Sequence, residues 1–228
     1  MEQAEQYLRS TYSIDCEDKE IRKKVVELTG DENSKVARAK RLFYFVRDEI
    51  KYNPYLFTDV PDAYRASKVL EVGEGFCIQK AVLLAALART AGIPSRLRFA
   101  DIRNNILPDI FAELDLNTSL IHHGYDELYI EGKWIKATPA FDLWMCEANH
   151  IIPVEFDGIH NGTFHSHNRD GQLHIEYIQD HGHYDDLPFD KMMEANLRVY
   201  GADYLEKFKT SGIMISETAL AKNGEQKY

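Results

Sequence analysis

The sequence predicts an α+β fold, with helices in the first part of the chain and an antiparallel sheet after them. Apolar residues recur at helical spacing up to about residue 91, and from Ser95 onward they alternate as they do in strands. A long apolar helix that begins at Cys77 joins the two parts. Because helices and strands follow one another in blocks, we expect them to form segregated layers. The predicted architecture is a set of N-terminal helices and a central Cys-bearing helix packed on an antiparallel sheet.

Four helical segments are predicted in the first part of the chain. Residues 17–29 and 34–51 have amphipathic patterns, and the polar residues between them are suited to cap a helix. We expect Ser67 to cap a short helical turn that runs to Leu70. The main helix, residues 77–91, has an apolar stripe wide enough for a helix buried in the middle of the domain.

Strand patterns follow the main helix. Residues 95–103 alternate between apolar and polar side chains, and residues 119–130 and 133–137 form a predicted hairpin across a Glu-Gly turn. A second hairpin is expected within residues 163–179, and a last helix over residues 188–210. Since each hairpin joins antiparallel strands, the sequence predicts an antiparallel sheet.

The length of the chain is suited to one domain. With 228 residues it can bury a substantial core as a single unit. We expect this domain to cover residues 1–222, with its core at about 34–142 and a C-terminal extension at about 143–222. The residues from about Asn223 onward are polar and are expected to fray.

Composition and charge exclude several classes of protein. The chain is 44% hydrophobic and 28% charged, which is typical of a soluble globular protein, and its net charge of −10 argues against non-specific binding to nucleic acid or to anionic membranes. The first residues are polar, and no apolar run approaches the ~18 residues that a membrane span needs. Cys16, Cys77 and Cys146 have no metal-knuckle or CxxC spacing, which favours free thiols in a reducing compartment. We therefore predict a cytoplasmic protein without nucleic-acid or membrane partners.

Cys77 is the strongest candidate for a reactive residue. It follows Gly-Glu-Gly-Phe and begins the main helix, where free backbone N–H groups and the positive end of the helix dipole favour the thiolate. His122 and His123 come later, in a predicted strand. A cysteine at a helix start and a histidine on a later strand are typical of a thiol-based acyl-transfer site.

Two segments of the sequence resemble a known family. Residues 66–96 contain Gly-Phe-Cys, an apolar helix and Ala-Gly-Ile-Pro-Ser-Arg, and residues 123–134 contain His-Gly-Tyr-Asp-Glu-Leu-Tyr, a turn and Trp. In this order the segments resemble the cysteine and histidine segments of the transglutaminase-like superfamily. The resemblance implies a papain-like fold in which Cys77 is the nucleophile and His123 is the base. Strand alternation agrees in directing His122 and His123 to opposite faces.

The third catalytic position departs from the family pattern. The segment after the tryptophan usually ends in Asp-Pro, and here it is Thr138-Pro139. Threonine accepts a hydrogen bond from the imidazole but carries no charge to stabilise imidazolium. We therefore predict that Asp142 folds back to orient His123, with Thr138 as the alternative.

The residues and the resemblance together imply a cysteine-dependent hydrolase. We expect it to cleave a peptide or related amide through a Cys77 thioester, because nothing in the sequence marks a dedicated site for another acyl acceptor. No cofactor is implied. The Cys77 backbone N–H is expected to bind the oxyanion, with Tyr52 and Gln79 as weaker candidates for a second donor. The alternative is a catalytically inactive transglutaminase-like module that binds a peptide or protein.

Histidines are concentrated near the end of the chain. Six of the nine lie within residues 160–183, which suggests a metal site on a hairpin that would bring together His165, His167 and His174. No cysteine or HExxH-type spacing accompanies these histidines. We therefore predict no metal ligands, while a metal-dependent protein remains a third hypothesis.

Overall fold

The computed structural model describes residues 2–106 and 119–206 and has the predicted α+β architecture. The helices are α1 (Glu2–Glu5), α2 (Lys19–Thr29), α3 (Lys35–Tyr44), α4 (Ala66–Val72), α5 (Cys77–Thr90), α6 (Leu143–Ala148) and α7 (Phe189–Tyr200). The strands are β1 (Lys51–Tyr52), β2 (Glu74–Gly75), β3 (Ser95–Asn104), β4 (Ser119–Ile130), β5 (Lys133–Ala137) and β6 (Ile175–Tyr184). The predicted positions of the main helix and of the first three long strands are therefore confirmed.

Helix α5 lies at the centre of the fold. Every residue from Ile78 to Arg89 is buried, with α2, α3 and α4 on one side of the helix and β3 and β4 on the other. A helix covered on all sides is apolar around most of its circumference, as the sequence indicates. The buried ammonium of Lys80 is an exception, and it donates hydrogen bonds to the carbonyl oxygens of Arg47 and Ile50, at 3.0 and 2.6 Å.

The main sheet has four antiparallel strands in the order β5-β4-β3-β6. The predicted second hairpin is confirmed at its turn and wrong in its extent. An antiparallel bridge joins His167 and Leu173, and the backbone N–H groups of Asn168 and His174 donate to the carbonyl oxygens of Gln172 and Ser166. The long strand β6 begins only at Ile175 and pairs with β3. Pairing with β3 continues the main sheet, and Ile175 is buried in the core beneath it.

Two other predicted details also differ. Ser67 does not cap α4, because its hydroxyl donates to Asp15 Oδ2 at 2.5 Å and the helix has already begun at Ala66. Helix α7 ends at Tyr200, because Gly201 adopts a φ of 86°, and a new helical segment begins at Tyr204. Residues 207–210 of the predicted helix lie outside the described residues.

Both neighbours of β3 are bulged at the level of Asp101. In β4, the pairing passes from Ala100–His123 to Ile102–Leu120. Two residues of β4, Ile121 and His122, therefore lie opposite the single residue Asp101 of β3. In β6, the register shifts next to Ala100 and leaves His181 as an extra residue. His122 has a φ of 55°, which few residues other than glycine adopt. The bulges therefore change the direction of side chains at this end of the sheet.

Some expectations fall outside the described residues. The irregular segment predicted between β3 and β4 lies mostly at 107–118, and the frayed tail lies within 207–228. The domain division into residues 1–222, 34–142 and 143–222 stays a prediction. Within the described ranges, no helix combines the length and the apolar character needed to cross a lipid bilayer.

Candidate active site

Cys77 is the first residue of α5. The preceding residue, Phe76, is the N-cap, and its backbone N–H donates to Gln79 Oε1 at 3.3 Å. Gly124 of β4 packs against Ile78, the residue that follows Cys77. The start of α5 therefore lies against the strand that carries His123.

Gly124 allows this close contact. A Cβ atom at this position would lie 3.1 Å from the Ile78 Cα and 3.2 Å from the Phe99 ring. Such distances are shorter than ordinary van der Waals contacts, so a side chain here would press β4 away from α5. The absence of a side chain at Gly124 thus brings the residue next to His123 against the first turn of α5.

His123 is buried among aromatic rings. Its ring centroid lies 4.9 Å from that of Phe164, 5.8 Å from Tyr125 and 6.4 Å from Tyr177. Its Nε2 atom is buried and has no hydrogen-bond partner among the described residues. Burial lowers the pKa of His123 to about 3, because the charged imidazolium loses its hydration.

The protonation state of Cys77 differs from the sequence expectation. Burial raises the pKa of the Cys77 thiol to about 11, although nearby backbone N–H groups act in the opposite direction. The start of α5 favours the Cys77 thiolate, whereas removal of the thiol from water favours its neutral form. Removal from water has the larger effect on the pKa of Cys77. In this conformation the site therefore holds a neutral thiol and a neutral imidazole, and no described hydrogen bond joins Cys77 to His123.

Asp142 has partners other than the predicted one. Its Oδ1 accepts the backbone N–H of Met145 at 2.7 Å and caps α6, and its Oδ2 accepts the backbone N–H of Tyr52 at 2.7 Å. Both oxygens are thus bound to the backbone, and the structure does not bring Asp142 and His123 together. The orienting role of Asp142 stays a prediction.

Thr138 follows β5 and is also buried. Its Oγ1 makes no hydrogen bond of good geometry in the part of the chain that the structure describes. Burial raises the pKa of Tyr177, and the nearby side chain of Thr138 acts on this pKa in the opposite direction. Within the described ranges, Thr138 Oγ1 therefore lacks backbone hydrogen bonds like the two that hold Asp142.

Cys77 and both histidines line one cavity of about 60 Å³, together with Tyr52 and Tyr200. This volume is enough for a few water molecules. Both histidines line this cavity, but their rings have different neighbours, His181 for His122 and Phe164 for His123. The expectation that the two rings point to opposite faces stays a prediction. A larger groove of about 840 Å³ lies elsewhere, against α2 and α4, and includes neither Cys77 nor the histidines.

One of the two candidate oxyanion donors is excluded by its contacts. The Gln79 amide donates to the Ala63 carbonyl at 2.9 Å, and its oxygen accepts the Phe76 N–H, so the side chain is not directed at the cavity. Tyr52 remains, because it lines the cavity near Cys77. Burial, with a smaller contribution from Cys77, raises the pKa of Tyr52 well above its usual value and keeps its hydroxyl protonated.

The predicted histidine cluster does not form. His165 and His167 are exposed, and His174 is buried beside Phe141 and Phe164. Burial lowers the pKa of His174 to about 4.

Within residues 2–106 and 119–206, a different group has metal-ligating atoms close together: Asp101, His122 and His181. The three ligand atoms all lie within 4.8 Å of one another. Sequence spacing gives no indication of this group, since its residues come from three strands and meet only through the bulges.

Comparisons with known proteins agree with this architecture. The family model described as the Transglutaminase-like superfamily matches residues 22–139, more than half of the 228 residues. Among solved structures, a candidate cysteine protease from Cytophaga hutchinsonii is similar with a TM-score of 0.45 and 19% identity, over 58% of this chain and 40% of that one. A candidate protease from Parabacteroides distasonis has a TM-score of 0.38 and 16% identity, over 52% of this chain and 23% of that one. No curated protein matches.

Proposed function

Because the chain belongs to the transglutaminase-like superfamily, we propose that it is a cysteine-dependent acyl-transfer enzyme that hydrolyses a peptide or a related amide. One observation carries the proposal: Cys77 starts the buried helix α5, and Gly124, the residue next to His123, packs against the first turn of that helix. This contact puts a thiol and an imidazole on the wall of one cavity. Nucleophile and base in one water-poor cavity are what acyl transfer requires.

The chemistry begins from the neutral pair. As the Cys77 sulfur forms a bond to the carbonyl carbon, His123 takes the thiol proton. The C–N bond then breaks, and the imidazolium gives that proton to the leaving amine. Water, deprotonated by His123, attacks the thioester carbonyl and releases the carboxylic acid and the thiol. Transfer of the proton during attack does not need a preformed thiolate, so it is compatible with the raised pKa of the Cys77 thiol.

The negative oxygen of the tetrahedral intermediate needs hydrogen-bond donors. The backbone N–H of Cys77 at the helix start and the protonated hydroxyl of Tyr52 are the groups that we assign to this role. Tyr52 is held through its own backbone N–H by Asp142, at 2.7 Å. Asp142 therefore acts on the site by positioning Tyr52.

For the residue that orients His123, we propose Thr138 ahead of Asp142. A rotation of Asp142 toward His123 would leave the backbone N–H groups of Met145 and Tyr52 without their acceptor. Leaving a buried donor unpaired costs about 1–3 kcal/mol. His123 Nε2 is buried without a described partner. Thr138 Oγ1 lies near the Tyr177 hydroxyl and is held by no backbone group in the described ranges, so a hydrogen bond between Thr138 Oγ1 and His123 Nε2 would satisfy the imidazole.

A non-catalytic binding module is the second candidate. The observation that favours it is the lack of a charged partner for His123, whose pKa is lowered by burial alone. Without a carboxylate, the imidazolium formed during attack gains no electrostatic stabilisation. Such a module would retain the cavity at Cys77 without turnover.

An activated ester separates the two candidates. We would mix the protein with p-nitrophenyl acetate, follow release of p-nitrophenolate, and locate acetyl groups by mass spectrometry. Cys16 and Cys146 report background acetylation of buried thiols, whereas Cys77 is partly exposed, so His123→Ala, which leaves the Cys77 thiol in place, is the control for accessibility. An enzyme should acetylate Cys77 selectively and continue past one equivalent, and Cys77→Ser and His123→Ala should abolish this turnover.

Two other results would argue against the enzyme. Acetylation of Cys77 no faster than that of Cys16 would show that the thiol has no activated environment. Selective acetylation without continued release would show that the thioester is not resolved, which is the result expected for a binding module. If turnover is present, digestion of a peptide mixture by the wild type and by Cys77→Ser tests whether peptide amides are the substrate.

A further inference from the structure

A second group of chemically capable side chains lies beside the proposed active site. Asp101 lies on the central strand β3, and the strands on both sides of it are bulged at its level. His122 belongs to the bulge in β4, and His181 is the extra residue in β6. Bulges redirect side chains and are frequent next to functional sites. The bulges here direct one histidine from each neighbouring strand toward the same carboxylate.

The contacts of this group are specific. Asp101 Oδ1 accepts the backbone N–H of His122 at 3.0 Å and lies 2.8 Å from His181 Nε2. The imidazole rings of His122 and His181 are stacked, with centroids 4.6 Å apart and planes 7° from parallel. His122 Nδ1 is buried and has no hydrogen-bond partner in the described ranges. A buried ring nitrogen without a partner, in a residue with a strained φ, is not explained by packing alone.

We propose that Asp101, His122 and His181 bind a divalent transition-metal ion of the Zn²⁺ type. Two imidazole nitrogens and one carboxylate oxygen are a ligand set of catalytic zinc sites, in which water takes the remaining position. Their ligand atoms lie within 4.8 Å of one another. Around a tetrahedral Zn²⁺ the ligands would be about 3.4 Å apart. Asp101 Oδ1 and His181 Nε2 are already closer than this, at 2.8 Å, so the ion would replace the hydrogen bond between them, with the His122 nitrogen within 4.8 Å of both.

Binding also requires a change in ring orientation. The ring lone pairs of stacked imidazoles lie in parallel planes and do not converge on one point, so one ring must tilt away from the other. The side chains of Asp101 and His181 retain about a fifth of their exposure, at 19% and 21%, which leaves a route for the ion. Arg198 carries a positive charge that acts on His122 and opposes a cation, so the affinity should be moderate.

This inference goes beyond the proposed function and does not depend on turnover. The ion would join three strands of the sheet at the residue before His123. Binding would therefore stabilise the folded chain by an amount that increases with the ion concentration.

Calorimetric titration of the whole chain with Zn²⁺ tests the site. We expect one ion per chain, and at least tenfold weaker binding in His122→Gln, His181→Gln and Asp101→Asn. Asp101→Asn keeps an oxygen for the His122 N–H, so it separates loss of the ion from loss of the fold. Its melting temperature without added metal should be close to that of the wild type.

The matched control is His160→Gln. His160 and Asp157 form an exposed histidine–carboxylate pair, with Nδ1 2.7 Å from Oδ2, that lacks a third ligand. Its replacement should leave Zn²⁺ affinity unchanged. Equal loss of affinity in His160→Gln would identify only adventitious surface binding and overturn the proposal.

Two further results would overturn it. One is stoichiometric binding that survives His181→Gln, and the other is the absence of stoichiometric binding in the wild type. Co²⁺ substitution gives an independent readout, because its visible absorption bands report coordination by the protein. The bands should be present in Cys77→Ser and absent in His181→Gln, and the reverse pattern would assign the ion to the thiol.

Discussion

His122 and His123 follow one another in β4, and the surroundings of the two rings differ in kind. The His122 ring stacks on His181, and the His122 backbone N–H binds Asp101. The His123 ring contacts aromatic rings, among them Phe164, and its Nε2 has no described polar partner. The difference arises from the backbone, because the bulge ends at His122 and regular pairing resumes at His123. Adjacent residues of the same type can therefore serve different chemistry when a bulge separates their environments.

The same contrast extends along β4. Beyond the bulge, the strand carries a second buried titratable group, the Asp126 carboxyl, whose oxygens make no hydrogen bond of good geometry within the described ranges. Burial raises the pKa of Asp126 and lowers the pKa of His123, so both groups are shifted toward their neutral forms. Regular strand pairing thus buries neutral groups, while the bulged end gathers polar side chains around Asp101.

Replacement of His123 by alanine should have the largest effect. Loss of a general base costs about 100-fold or more in rate, so turnover of p-nitrophenyl acetate should fall by at least that factor. Zn²⁺ binding should persist, because the proposed ion site uses His122 and not His123. Steady-state kinetics and calorimetry on the same preparation measure both quantities.

His160→Gln is the control for His123→Ala. It removes an exposed histidine that does not line the cavity, and it leaves the aromatic rings around His123 in place. Its turnover should match the wild type. If His123→Ala kept full turnover, the assignment of the two histidines to different roles would fail.

Replacement of Asp142 tests whether His123 truly lacks a charged partner. Asp142→Ala removes the cap of α6 and the acceptor for the Tyr52 N–H. It also removes a negative charge that faces the buried Lys80. We expect a loss of about 2 kcal/mol or more in the free energy of unfolding, measured in urea.

Asp142→Asn separates stability from catalysis, since its amide oxygen still accepts one backbone N–H. Most of the turnover should remain if Asp142 acts only on Tyr52 and α6. A loss of turnover similar to that of His123→Ala, in a variant that remains folded, would instead make Asp142 the orienting residue.

Replacement of Asp126 should have the smallest effect, and the effect should depend on pH. The folded chain keeps the Asp126 proton, which the unfolded chain releases above about pH 4. This contribution to stability is complete at low pH and is lost as the pH rises toward the folded-state pKa. Asp126→Asn should therefore be more stable than the wild type at pH 7.

The gain from Asp126→Asn should shrink toward pH 4, and urea unfolding at both pH values measures it. The exposed Asp31→Asn is the control and should change stability little at either pH. A gain of equal size at both pH values would mean that the buried carboxyl is not the source. Arg89 does not remove this effect, because its guanidinium donates to the carbonyls of Ser95, Arg9 and Asp185.

Much of the site was accessible from short-range sequence patterns. The helix start at Cys77 and the bounds of β4 and β5 follow from periodicity and turn residues, because these depend on local backbone preferences. The choice of His123 as base came from the family resemblance. The sequence also indicated that Thr138 replaces the usual aspartate, which is a matter of residue identity alone.

Other features were decided by contacts between distant parts of the chain. Strand β6 begins at Ile175 because it pairs with β3, and a hairpin pattern does not reveal a partner so far away in sequence. The Asp142 carboxylate accepts a hydrogen bond from the backbone N–H of Tyr52, 90 residues earlier in the chain. Gln79 is likewise held by Ala63.

The sequence by itself determined the elements on which Cys77 and His123 lie. The tertiary structure decided their protonation and their partners. Helix and strand periodicity reports local geometry, whereas the pKa of Cys77 depends on how much water the packed cavity excludes. The bulges that unite Asp101, His122 and His181 depend on the register of three strands, which no short segment specifies.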